Sequence, residues 1–169
     1  MVMSFAKPSR IALLAGLGAA LIASATQAGA QAARSVFAGY AGSWSGGGTI
    51  STAGGAVERL RCTAGCRVEE GGATLVQNLN CASDSYKFDL KTQIEAAGTE
   101  ITGRWFEATR NAQGAISGRV SGGRVEGTVT GAGFAAEFVL RERANRQQIV
   151  IRAQGGDVAE ISAELARSR

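Results

Sequence analysis

The chain has 169 residues, with 18 Lys+Arg, 14 Asp+Glu, no His, one Pro and 24 Gly. Without His, the commonest general base and the commonest metal ligand are both missing, so histidine-based triads and most zinc chemistry are excluded. Residues 1–30 hold no acid and only two bases, Lys7 and Arg10. The remaining 139 residues carry 16 basic and 14 acidic side chains, a balance that leaves no nucleic-acid footprint.

The N-terminus reads as a basic stretch, an apolar run from Ile11 to Ala25, and small residues ending in Ala28-Gly29-Ala30. That order is a secretory signal peptide over residues 1–30, with Gln31 as the new N-terminus and Ala30-Gln31-Ala32 as the alternative site. The apolar run of 15 residues falls short of the roughly 20 that a spanning helix needs, so no integral membrane segment is expected after cleavage. A periplasmic or secreted destination follows, where disulfides are permitted. Residues 31–41 are expected to be a flexible lead-in and residues 42–166 a single domain.

From Gly42 onward, short apolar-polar alternations are separated by glycine turns about every ten residues, the spacing of an all-β barrel or sandwich. Strands are expected over 43–50, 57–64 with 67–70 as one bent strand, 73–82, 86–95, 100–108, 115–121, 124–130, 134–142 and 147–153. Asp157 to Leu165 suits a closing strand or a short helix; the strand is favoured because closure removes exposed edges. A hairpin through Gly71-Gly72 pairs Val68 with Leu75, Ala64 with Leu79 and Cys62 with Cys81. One through Gly122-Gly123 pairs Val120 with Val125, Gly118 with Gly127 and Ile116 with Val129. A turn at Ala97-Gly98 pairs Ile94 with Ile101, Leu90 with Trp105 and Phe88 with Glu107. The strand from Tyr86 to Ile94 puts charges at every other position. Its apolar face must point inward, as in a water-facing barrel and not an outer-membrane one. The expected fold is therefore a single antiparallel meander closing into a small β-barrel, with a β-sandwich as the alternative.

Gly42-Ser43-Trp44 in the first strand, followed by a meander, resembles the calycin or lipocalin-like barrels, whose first strand carries Gly-x-Trp. The stretch Leu60 to Thr109 also resembles small exported Gram-negative proteins of unknown function, through Cys81 to Tyr86 and the Gly103-x-Trp-x-Glu107 strand. The first resemblance implies a barrel and, by analogy, a small-ligand cavity; the second brings no activity.

Three cysteines and no histidine do not make a four-ligand zinc site, and no metal is expected. The Gly71-Gly72 register instead selects a Cys62–Cys81 disulfide, leaving Cys66 buried and inert or bridged to another chain. Trp44, Phe88 and Trp105 are core anchors that also serve as candidate walls of a ligand cavity. Glu107 shares the inward face of Trp105: a wet barrel mouth explains it, and so does a polar contact to a ligand. No Gly-x-Ser-x-Gly elbow and no phosphate cradle is present, so no catalytic residue and no cofactor is expected. The chain reads as an exported, non-enzymatic barrel that binds a small apolar ligand or an envelope component. The alternative is a protein-interaction module, such as an inhibitor of an exported enzyme or an envelope scaffold.

Overall fold

The computed structural model describes residues 36–169, so the signal peptide and its cleavage site lie outside the described residues. Ten strands follow one another: β1 (Gly42–Thr52), β2 (Val57–Glu69), β3 (Thr74–Ala82), β4 (Lys87–Ala97), β5 (Glu100–Glu107), β6 (Ala112–Ser121), β7 (Arg124–Gly131), β8 (Phe134–Arg143), β9 (Arg146–Ala153) and β10 (Val158–Arg167). Each is antiparallel to its chain neighbours, and β10 returns to pair with β1, so the sheet closes on itself. Closure rules out the sandwich. It also settles the last segment as a strand, with Ile161 between Ile50 of β1 and Ile151 of β9.

Alternation makes the barrel. On β2, Leu60, Cys62, Ala64 and Cys66 are buried while Arg59, Arg61, Thr63 and Arg67 are exposed. The outer wall carries charged and hydroxyl side chains on every strand pair, such as the exposed ladders Arg119–Glu100 and Arg152–Glu160. A lipid-facing barrel would carry an apolar band there.

The hairpins through Gly71-Gly72 and Gly122-Gly123 have the expected registers, including Cys62 opposite Cys81 and Gly118 opposite Gly127. In the second, both loop glycines have positive φ, 54° and 75°, as a two-residue loop following the strand twist requires. The β4–β5 register differs from expectation by two residues. The loop is Gly98-Thr99, with Gly98 at φ 66°, so Ile94 faces Gly103, Leu90 faces Glu107 and Thr92 faces Trp105. A shift of two keeps every side chain on its expected face.

Several inward positions are glycine because the neighbouring backbone leaves no room for a side chain. A Cβ on Gly46, Gly103, Gly114, Gly118 or Gly127 would overlap a carbonyl oxygen of the adjacent strand. These glycines let the sheet coil tightly enough to close. They are required by the backbone path and are not simply missing core volume.

One end of the barrel is shut. Of the segment expected to be flexible, 31–41, the described part packs into the barrel: Ala38–Tyr40 form a 3-10 turn, and Phe37 and Tyr40 are fully buried. Burial of two aromatics outweighs the entropy of ordering so short a stretch. The Tyr40 hydroxyl donates to the Gly123 and Leu140 carbonyls across the barrel floor, at 2.8 and 3.0 Å.

Candidate functional site

Odd-numbered strands run away from the shut end and even-numbered strands run back to it. Strand direction therefore separates the four residues singled out as cavity walls. Trp44, near the start of β1, lies at the shut end. Phe88, at the start of β4, and Trp105 and Glu107, at the end of β5, lie together at the opposite end.

Trp44 is part of the plug. Its indole N–H donates to the Tyr40 carbonyl at 2.9 Å, and the Arg167 guanidinium lies 4.2 Å from its ring centre. Arg167 also donates to the carbonyls of Gly39 and Ala41 and to the Asn145 side chain, which ties β10 to the lead-in segment.

At the other end the interior is reached by solvent. Phe88, Leu90, Val129, Phe138, Ile151 and Ile161 all stand at inward register positions yet are only partly buried. Toward the shut end Leu75, Val125 and Leu165 are at most 1% exposed, although Val68 and Ala96 are partly buried there, and at the open end Ile50, opposite Ile161, is fully buried. A ten-strand barrel is wider than the eight-strand size that side chains just fill, so an accessible apolar mouth fits this geometry. Trp105 forms one side of it. Its indole lies over Gly131, donates to the Thr130 carbonyl at 3.1 Å, and meets Phe134 edge-on at 5.6 Å. Phe134 itself is 38% exposed at the lip.

Phe88 stacks on Tyr86 and is covered by the Arg110 guanidinium at 5.0 Å. Behind it, the Cys62–Cys81 disulfide bridges the interior face of β2 and β3, with Cα atoms 4.1 Å apart. Glu107 is 7% exposed, and its oxygens are taken up within the protein. They accept from the Asp89 N–H (3.0 Å), the Thr109 hydroxyl (2.7 Å) and the N–H groups of Thr109 and Arg110 (3.2 and 2.8 Å), beside the Arg110 guanidinium. Burial raises its pKa, but these hydrogen bonds lower it more, and the carboxyl ionises below the ordinary glutamate range.

Deeper in, the wall turns polar, a feature the sequence reading did not single out. Thr92, Gln77 and Cys66 lie side by side on β4, β3 and β2. From across the barrel Gln147 accepts from the Gln77 amide at 3.3 Å and donates to the Cys66 sulfur at 3.5 Å. Burial pushes the Cys66 thiol up, so it is neutral at ordinary pH. The signal was available: Thr92 and Gln77 break otherwise apolar inward sets.

Two concavities lie on the outer wall. One, of about 430 Å³, is lined by Gly47, Gly48, Arg59 and Glu164; the other, of about 390 Å³, by Arg124, Glu126, Glu137 and Arg152.

No protein-family model matches the chain, and no curated protein matches it in sequence. Solved structures do. The chain is similar to Rv2717c from M. tuberculosis (TM-score 0.63, 12% identity, covering 79% of this chain and 95% of that one). It is also similar to the S-type phycobiliprotein lyase CPES from Guillardia theta (TM-score 0.52, 12% identity, covering 79% of this chain and 90% of that one). Both likenesses concern the fold, and with the closed antiparallel meander they fit a calycin-like barrel.

Proposed function

We propose that the mature chain is an exported, non-enzymatic barrel that receives a small apolar ligand, or the apolar part of an envelope component, through its open end. The observation that carries this reading is the group of inward-facing, only partly buried apolar side chains at the unplugged end, Phe88, Leu90, Val129, Ile151 and Ile161, beside the exposed Phe134. Phe88, Trp105 and Phe134 line that mouth, Glu107 orders its lip, and Trp44 belongs to the opposite plug. The signal-like N-terminus and the Cys62–Cys81 bridge support an oxidising, periplasmic or secreted location. The shared fold with a phycobiliprotein lyase is compatible with a ligand-binding barrel and says nothing of chemistry.

The test is titration with a neutral apolar fluorophore such as N-phenyl-1-naphthylamine. Binding should quench tryptophan emission and weaken in Trp105→Ala and in Phe134→Ala; the second removes a lip residue and should leave the fold intact. If the probe ignores the native protein, the mouth reading fails. An interaction module working through the outer wall, where the concavity at Gly47 and Gly48 offers a recessed surface, then takes its place.

A further inference from the structure

The open end is apolar, but the wall beneath it is not, and the two together define what kind of molecule would fit. We propose that the Thr92–Gln77–Gln147 cluster receives the uncharged polar end of an amphiphilic ligand, a hydroxyl or amide, whose apolar body lies along Trp105 and Phe88. The proposal rests on the ligand-binding reading above and deepens it.

The first ground is an unpartnered group. The Thr92 hydroxyl oxygen is out of solvent contact and has no hydrogen-bond partner among the described residues. Thr92 stands between Gln77 and Trp105 in the inward register, where the polar cluster meets the aromatic mouth. A buried hydroxyl is ordinarily paired, and this one can both donate and accept. Gln77 and Gln147 use one hydrogen bond between them, which leaves amide donors and carbonyl lone pairs over.

The second ground is charge. Among the described residues, Arg167 is the sole Lys or Arg at an inward register position, and it is held at the shut end by Gly39, Ala41 and Asn145. Its guanidinium lies against Gly42, the partner of Cys66, but is taken up by those acceptors and the Trp44 ring, so an anionic head group at Thr92 would have no free basic side chain beside it. For a cationic one, the inward carboxylate nearest the cluster is Glu142, opposite Gln147, which is turned to the shut end beside Gly39 and accepts from the Asn145 N–H. The Glu107 oxygens are occupied by their own loop, and Glu58 at the lip accepts from the Ser83 hydroxyl and the Ser85 N–H. Thiol, hydroxyl and amide groups together select a neutral polar end.

The experiment displaces bound N-phenyl-1-naphthylamine from the full mature protein with 1-decanol, decanamide, decanoate and decylammonium, matched in chain length, at neutral pH. The neutral pair should compete at about tenfold lower concentration than either ion. Thr92→Val, which keeps the shape and removes the hydroxyl, should erase most of that advantage, and Thr92→Ser should retain it. Equal competition by decanoate, or an unchanged preference in Thr92→Val, would overturn the proposal while leaving the apolar mouth standing. Failure of the fluorophore itself to bind would overturn both.

Discussion

A carboxylate turned toward a barrel interior has to find donors, and Glu107 finds them in the loop that follows it. Because these hydrogen bonds favour the ionised form, its pKa is lowered on folding. The stabilisation it gives is therefore present above the ordinary glutamate range and is lost as pH falls through the lowered value. Glu107→Gln should lose about 2 kcal/mol at pH 7, since donors around residues 108–110 are left without an ionised acceptor. The gap to wild type should narrow at acid pH. Urea midpoints at pH 7 and pH 3 check both, and an equal gap at the two values would show that the charge is irrelevant. Strand parity in the sequence placed Glu107 inward, beside Trp105. What it did not show was the set of donors, because they come from Asp89 across the strand and from a turn that parity says nothing about. Trp44 is a different lesson. Face was legible for both tryptophans, but putting them in one cavity ignored strand direction. Trp44 opens an outgoing strand and Trp105 ends one, which places them at opposite ends.

The hairpins show where sequence is a reliable guide to pairing and where it is not. Gly122-Gly123 forms a two-residue loop and its register follows; Gly71-Gly72 sits in a four-residue connection, with a 3-10 turn over Glu70–Gly72, that keeps the same register; at Ala97-Gly98-Thr99 a single glycine can occupy either loop position, and the register moves by two. Inward glycines were open to a second misreading, as absent side-chain volume, since close backbone approach cannot be seen in a sequence. It makes a sharp contrast between positions. Gly118→Ala should destabilise by about 3 kcal/mol or prevent folding, because its Cβ would strike the Glu126 carbonyl of β7. Gly65→Ala on the outer wall of β2 meets nothing within 4 Å and should be neutral or slightly stabilising. Thermal melts of the two variants check the pair, and equal effects would contradict the close-approach account. The bridge between β2 and β3 closes a loop with a sequence separation of 19, so Cys62→Ser should cost roughly 3 kcal/mol. Peptide mapping without reduction should join Cys62 to Cys81 and leave Cys66 alone. A Cys66–Cys81 bond would contradict the β2–β3 register.

At the scale of the molecule, ten antiparallel strands close without an edge, the lead-in segment plugs one end, and at the other the inward apolar side chains around Phe88, Leu90 and Ile151 are only partly buried. The barrel was legible from alternation and turn spacing; the plug was not, because Phe37 and Tyr40 precede the first strand in a stretch with no periodicity to read. The asymmetry between the two ends is the central claim, and methyl-resolved NMR of the mature protein titrated with N-phenyl-1-naphthylamine tests it most directly. Signals of Leu90, Val129, Ile151 and Ile161 should shift with probe, while those of Leu75, Val125 and Leu165 at the plugged end stay in place. Shifts confined to Val139 and Val150 on the outer wall, or no shifts at all, would contradict an interior that opens at one end.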